Sequence, residues 1–104
     1  MEGSHKFALL ALLEAKPGKE KEVEEFLKSA QPLAVRETGT STWYAVKLAP
    51  NKFGIFDTFR QEEGRDAHLN GEIAKALMAK AGELLAKPPQ IEKLEILAAK
   101  APGA

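Results

Sequence analysis

The hydrophobic positions along the chain form four short runs that predict β-strands. Residues 7–13 are apolar without alternation, which is typical of a strand buried on both faces. Residues 42–48 and 53–59 are rich in β-branched and aromatic side chains, and the short turn between them predicts a hairpin. Residues 91–97 alternate between apolar and charged side chains and predict the last strand.

The segments between these runs have the spacing of helices. Apolar side chains recur every three or four positions in residues 19–30, and Pro32 is predicted to bend or end this helix before a short helical piece at 33–37. Residues 62–87 are rich in Ala, Leu, Glu and Lys, which favour a second helix. Two consecutive prolines follow it and are predicted to stop it.

The order of these elements, β-α-β-β-α-β, predicts a ferredoxin-like α+β fold with an antiparallel sheet and both helices on one face. The other face of the sheet is then open. Because the first strand is apolar on both sides, this open face is expected to be apolar, and such a surface marks a partner site. The simplest partner is a second copy of the chain, so we expect a homodimer whose two sheets pack face to face. The alternative is a monomer with an exposed apolar face.

The second helix contains the stretch GRDAHLNG, residues 64–71, which includes His68 and two glycines. In one straight helix His68 would project away from the apolar stripe and lie in solvent. Asn70 favours a helix N-cap and Gly71 weakens a helix interior, so we predict a short helix to Leu69 and a new helix capped by Asn70. His68 can then turn toward the sheet, with Gly64 leaving room beside it. The sequence leaves both placements of His68 open.

The composition narrows the classes of function. The chain has 104 residues, with 15 basic and 15 acidic side chains and no cysteine. We expect one domain over residues 6–99, a tag-like or disordered start at 1–5 and a loose tail at 100–104. Zero net charge argues against nucleic acid as a partner. The lack of a long apolar run argues against a membrane-spanning segment, and the cytoplasm is the expected location.

A few further side chains could take part in binding or catalysis. Trp43 and Tyr44 are adjacent on one strand and therefore face opposite sides of the sheet, although the sequence does not say which side each faces. Asp57 lies within an apolar strand, where a buried carboxylate needs a partner; Arg60 and Arg65 are the candidates for an ion pair. No spacing typical of a metal site, a phosphate-binding loop or a nucleophilic serine or cysteine is recognisable.

Several of these segments resemble the antibiotic biosynthesis monooxygenase family, and the likeness covers roughly residues 6–99. They are 16–19 (KPGK), 53–59 (FGIFDTF), 64–69 (GRDAHL), 73–77 (IAKAL) and the proline pair 88–89. Within the family the chain looks most similar to small bacterial quinol monooxygenases. The resemblance implies a dimeric α+β barrel that works without metal, flavin or haem. It also implies a quinol or anthrone-like polyphenol substrate that, once deprotonated, gives its own electrons to O2.

The resemblance further implies a site for a small aromatic ligand. His68 matches the family's helix histidine, and its implied catalytic role is to favour the phenolate as a base or hydrogen-bond donor. Six other side chains are predicted to bind the substrate. They are Trp43, Tyr44, Phe56, Asp57, Phe59 and Arg65.

Three alternatives to an oxygenase are weighed against these residues. A haem-degrading branch of the same fold pairs an asparagine on the first strand with a tryptophan, but here that strand has no asparagine and Phe59 stands in place of the tryptophan. An RNA recognition motif shares the element order, but the aromatic side chains are out of register and Asp57 lies among them. A non-catalytic, ligand-binding or stress-related dimer remains open beside the oxygenase.

Overall fold

The computed structural model describes residues 6–100 and contains four strands and three helices in that range. The elements in chain order are β1 (Phe7–Glu14), α1 (Glu20–Arg36), β2 (Thr42–Ala49), β3 (Lys52–Phe59), α2 (Glu62–Leu69), α3 (Glu72–Leu84) and β4 (Gln90–Glu95). The expectations for residues 1–5 and 101–104 fall outside the described residues.

The strands form a single antiparallel sheet in the order β2-β3-β1-β4. This is the predicted ferredoxin-like α+β arrangement, with the second helix divided in two. The strand β1 lies in the middle of the sheet, between β3 and β4. The prediction of a strand here is confirmed, but the predicted burial on both faces is incomplete, because Leu10 and Leu12 on one face are only half-buried.

The helices cover one face of the sheet and enclose the hydrophobic core. Leu9, Ala11 and Leu13 of β1 point to this face, in register with Asp57, Ile55 and Phe53 of β3. The core between sheet and helices is apolar and fully buried. Its members include Leu13, Val23, Leu27, Phe53, Ile55, Leu77 and Leu84.

The helix α1 continues through Pro32 to Arg36, so of the two predicted effects of this proline, a bend or an end of the helix, the end is wrong. Proline removes one backbone hydrogen-bond donor and crowds the preceding turn, which disfavours a helix locally. Here packing outweighs that cost, because the buried stripe continues on both sides of Pro32. Ala30 and Ala34, four residues apart, both lie buried against Ile73 of α3.

The helix α3 ends at Leu84, three residues before the predicted end at Lys87. The chain leaves the helix early because it pairs with the end of β1. Leu85 forms a β-bridge with Ala15, and the backbone N–H of Ala86 donates to the carbonyl of Glu14. The proline pair therefore follows the helix end instead of causing it.

The face of the sheet opposite the helices is open and apolar in the described chain. Tyr44, Val46 and Leu48 of β2 are exposed there. Phe56 of β3 and Leu10 and Leu12 of β1 are half-buried on the same face. This is the apolar open face that the sequence predicts. Within residues 6–100, no helix has the length and apolar character needed to cross a membrane.

Candidate functional site

The junction between α2 and α3 turns His68 inward, which is one of the two placements that the sequence leaves open. Its side chain is 9% exposed, so the alternative of a solvated histidine on a straight helix is wrong. The predicted cap is also wrong in detail, because Asn70 ends α2, where its side-chain amide donates to the carbonyl of Asp66 at 2.9 Å. Gly71 takes the N-cap position of α3 with extended backbone.

Gly64 has a different role from the predicted one of leaving room for His68. A Cβ at Gly64 would lie 2.6 Å from the carbonyl oxygen of Gly39, and a Cβ at Gly39 would lie 3.0 Å from the Cα of Gly64. The backbone of α2 therefore rests directly on the loop between α1 and β2. This contact brings the loop residues next to His68.

The imidazole of His68 lies between two carboxylates. Its Nδ1 is 2.6 Å from Oε1 of Glu37, and its Nε2 is 2.9 Å from Oδ2 of Asp57. Oε1 of Glu37 also accepts a hydrogen bond from the hydroxyl of Thr40 at 2.7 Å. The ring of Phe59 packs against the imidazole, with 5.5 Å between ring centroids. We call Glu37, His68 and Asp57 the triad.

The triad holds His68 in its protonated form. Burial by itself lowers the pKa of His68, but the contacts with Asp57 and with Glu37 outweigh burial and raise that pKa to about 9. At neutral pH the ring is therefore an imidazolium: its Nδ1–H donates to Glu37, and its Nε2 lies 2.9 Å from Oδ2 of Asp57 in an ion pair. In this state His68 can donate hydrogen bonds but has no free lone pair to accept a proton.

Asp57 pairs with His68, so the predicted ion pair between Asp57 and Arg60 or Arg65 is wrong. Asp57 is 1% exposed, and its Oδ1 has no hydrogen-bond partner among residues 6–100. Arg65 lies elsewhere: its guanidinium donates to the carbonyl of Leu94 at 3.1 Å and lies over the ring of Phe7. Asp57 therefore depends on the imidazolium to compensate its buried charge.

The triad borders a cavity of about 390 Å³ between the end of α1, the following loop, α2 and the start of α3. This volume is in the range of small-molecule sites. Glu37 and His68 lie on its wall. The other side chains include apolar groups that could contact a ring and charged groups at the two helix ends: Leu33, Ala67, Arg36 and Glu72.

The structure brings together only some of the side chains predicted to bind substrate. Trp43, like Asp57, points to the helix-covered face, where the two are partners across β2 and β3. Phe59 touches His68. Tyr44 and Phe56 are partners on the opposite face, and Tyr44 borders a separate open cavity that also includes Arg60. Their roles, like that of Arg65, remain predictions.

Sequence reasoning missed Glu37, the partner on the cavity side of the imidazole. A signal for it exists in its position. Glu37 is the C-cap residue of α1, and a negative charge at a helix C-terminus is disfavoured by the helix dipole. An acidic residue there, followed by a small-residue loop that includes Gly39, does not stabilise the helix and indicates a cation beside it.

Metal binding finds no support among the described residues, where no group of three or more His, Cys, Asp or Glu side chains could hold an ion together. In the triad the two carboxylates lie at opposite nitrogens of one ring, so their oxygens do not converge on a common point.

Comparison with known proteins agrees with this architecture. The crystal structure of a protein of unknown function from Nitrosomonas europaea superposes with a TM-score of 0.94 at 56% identity, covering 98% of this chain and 99% of that one. No family model and no curated protein sequence matches the chain.

Two further solved structures match at lower identity. A second Nitrosomonas europaea protein, described provisionally as an antibiotic biosynthesis monooxygenase, is 15% identical, with a TM-score of 0.81 over 93% of this chain and 95% of that one. A Bordetella bronchiseptica protein with the same provisional description is 18% identical, with a TM-score of 0.74 over 90% and 99%. The chain therefore belongs to the same family as the 56% identical Nitrosomonas protein, and its domain has the fold of the antibiotic biosynthesis monooxygenases.

Proposed function

We propose that the protein is a cofactor-independent monooxygenase that oxidises a quinol or related polyphenol with O2. The observation that carries this proposal is the triad at the wall of the cavity: an imidazolium held between two carboxylates, beside a space that fits a small aromatic ring. The fold shared with provisionally described monooxygenases supports it. His68 is the residue we propose as central to catalysis, with Asp57 and Phe59 supporting its position.

The proposed reaction takes its electrons from the substrate. A quinol and O2 give a hydroxyquinone and water: one oxygen atom enters the ring, the other leaves as water, and the quinol loses four electrons and two hydrogens from its hydroxyl and ring positions. The protein must provide an acceptor for the phenolic proton, because a phenol gives up an electron more readily when its proton can leave as the electron does. It must also accommodate the negative charge that moves to oxygen, and the imidazolium offsets one of the two carboxylate charges beside the cavity.

Oxygen consumption tests this function. We expect the wild-type protein to consume O2 with at least one member of a panel of quinols and catechols. The variant His68→Gln should lose at least about 100-fold in kcat, since the loss of one preorganised hydrogen-bond donor in an active site costs about that much. Glu63→Gln, an exposed change on the same helix α2, serves as the control and should retain activity.

Two results would contradict this proposal, and each has a different consequence. Unchanged turnover in His68→Gln would remove His68 from the mechanism. If the wild-type protein binds the aromatic compounds without consuming O2, the chain is the non-catalytic binding protein that the sequence also allows.

We also propose that two copies associate through the open face of the sheet. The support is the cluster of exposed apolar side chains there, since monomeric proteins rarely leave such a surface in water. Burying this face between two sheets would cover Tyr44, Val46 and Leu48, with Phe56 beside them.

A matched pair of charge substitutions tests the dimer. Leu48 on the open face is 57% exposed and Met78 on α3 is 58% exposed, so a glutamate disturbs each isolated chain to a similar degree. We expect wild type and Met78→Glu to have the mass of a dimer by light scattering, and Leu48→Glu to have that of a monomer. A monomeric wild type, or a dimer that persists in Leu48→Glu, would contradict this interface.

A further inference from the structure

We infer that Oε2 of Glu37 is the atom that receives the proton of the substrate hydroxyl, and that His68 acts through Glu37 as a positioning residue. This inference rests on the proposed function and assigns the proton transfer within that same cavity. It shifts the chemical step from the histidine to a residue that the sequence did not single out.

The two oxygens of Glu37 have unequal surroundings. Oε1 accepts hydrogen bonds from His68 at 2.6 Å and from Thr40 at 2.7 Å, so its lone pairs are occupied. Oε2 has no hydrogen-bond or ion-pair partner among residues 6–100, and the side chain of Glu37 is 21% exposed at the cavity. A Cβ at Gly71 would lie 3.2 Å from Oε2, so the glycine leaves the approach to this oxygen clear.

The other charged groups around Glu37 fit the role less well. Both nitrogens of His68 on α2 already face carboxylates, and Asp57 on β3 is 1% exposed behind the ring. Glu72 on α3 borders the cavity but has no partner among residues 6–100 to fix its carboxylate. Arg36 on α1 is a cation and accepts no proton. Glu37 is the acceptor that is both fixed and accessible.

The weak basicity of a carboxylate limits when Glu37 can take the proton. A carboxylate is a much weaker base than a phenolate, with reference pKa values of about 4 and about 10, so a resting phenol keeps its proton and donates a hydrogen bond to Oε2. When one electron passes from the phenol to O2, the oxidised phenol becomes a strong acid. Its O–H bond then breaks, the proton moves to Oε2, and the products are a neutral phenoxyl radical and superoxide.

The remaining steps return the proton. Superoxide forms a bond to a ring carbon of the radical, protonated Glu37 gives its proton to the outer oxygen, and a hydroperoxide results. Loss of water from this hydroperoxide gives the hydroxyquinone, so hydrogen, oxygen and electrons balance with O2 as the only oxidant. While Glu37 holds the proton, the net negative charge of the triad is cancelled, which removes a repulsion of superoxide in the cavity.

The substitution Glu37→Gln replaces the hydrogen-bond acceptor at the position of Oε2 by a donor, while the hydrogen bonds at the position of Oε1 are preserved. The amide oxygen of glutamine can keep the hydrogen bonds from His68 and Thr40 at the position of Oε1. The amide nitrogen then occupies the position of Oε2, where it presents a donor to the cavity. A bound phenol meets an acceptor in the wild type and a donor in the variant.

Anaerobic binding of 4-nitrophenol, whose ionised form is yellow, reports whether residue 37 presents an acceptor or a donor to the bound phenol. In the wild type the hydrogen bond to a carboxylate should favour the neutral phenol and raise the pKa of the bound probe above its value in water. In Glu37→Gln the ratio of phenolate to phenol at a given pH should increase at least about tenfold, the scale of one hydrogen bond to a charged group. Glu63→Gln, on the exposed side of α2, should behave as wild type.

The possible results separate this inference from the oxygenase proposal. A bound probe whose pKa falls in the wild type, no difference between wild type and Glu37→Gln, or no saturable binding would each overturn the role of Glu37. The expected colour change in a protein that consumes no O2 with quinols would uphold the contact at Glu37 and reject the oxygenase.

Discussion

The folded protein should lose about 3 kcal/mol of stability between about pH 6 and about pH 9.5, and the variant His68→Gln should lack this loss. The pKa of His68 is about 9 in the folded state, against 6.5 for an ordinary histidine. A group whose pKa is raised by folding stabilises the fold fully below its unfolded pKa, and that contribution disappears as the pH rises through the folded pKa. The side chain is 9% exposed, so solvent screens the triad little.

Urea unfolding at the two pH values, in wild type and in His68→Gln, measures this contribution. The difference between the two proteins removes the effects of titrating groups outside the triad, which they share. Equal pH dependence in both would mean that His68 is not held as an imidazolium in the folded state. The proton would then be bound to a group of the triad other than His68.

The second large effect concerns two glycines that both lie in helices. Gly64→Ala should destabilise the protein by about 1–3 kcal/mol, the usual cost of forcing extra volume into a packed site, because its Cβ would meet the carbonyl oxygen of Gly39 at 2.6 Å. Gly82→Ala in α3 should stabilise it by about 0.5–1 kcal/mol, since that Cβ would meet no atom within 4 Å.

Thermal or urea unfolding of the two alanine variants tests this difference in sign. The pair of variants is informative because alanine has a higher helix propensity than glycine. Helix propensity alone therefore predicts stabilisation at both positions. Stabilisation in Gly64→Ala would show that α2 does not rest on the loop containing Gly39. Destabilisation in Gly82→Ala would show an unrecognised contact in α3.

The parts of the fold that follow from local patterns could be predicted from the sequence. The unbroken apolar run of β1 indicates a central strand, and it pairs on both sides. The turn at residues 50–51 joins the predicted hairpin β2 and β3. The break at Asn70 and Gly71 indicates two helices instead of one. Each of these depends on residues close together in sequence, where spacing and backbone preference are informative.

The site depends on contacts between distant residues, and there the sequence is less informative. Asp57 could have paired with either nearby arginine, and only the packing of α2 on the sheet selects His68. Glu37 lies 31 positions before His68 and meets it because Gly39 and Gly64 allow their backbones to touch. Likewise, the continuation of α1 through Pro32 reflects packing on α3 that outweighs a local preference.

The helix α2 has eight residues, fewer than the roughly 12–15 that an isolated helix needs to be even marginally stable in water. Its helical state therefore depends on the glycine contact at one end and on the two carboxylates around His68 at the other. If α2 opens locally while the sheet stays intact, both contacts of the imidazole are lost together. The fraction of molecules with an assembled site is thus governed by this local opening, and amide hydrogen exchange in α2 measures it independently of global unfolding.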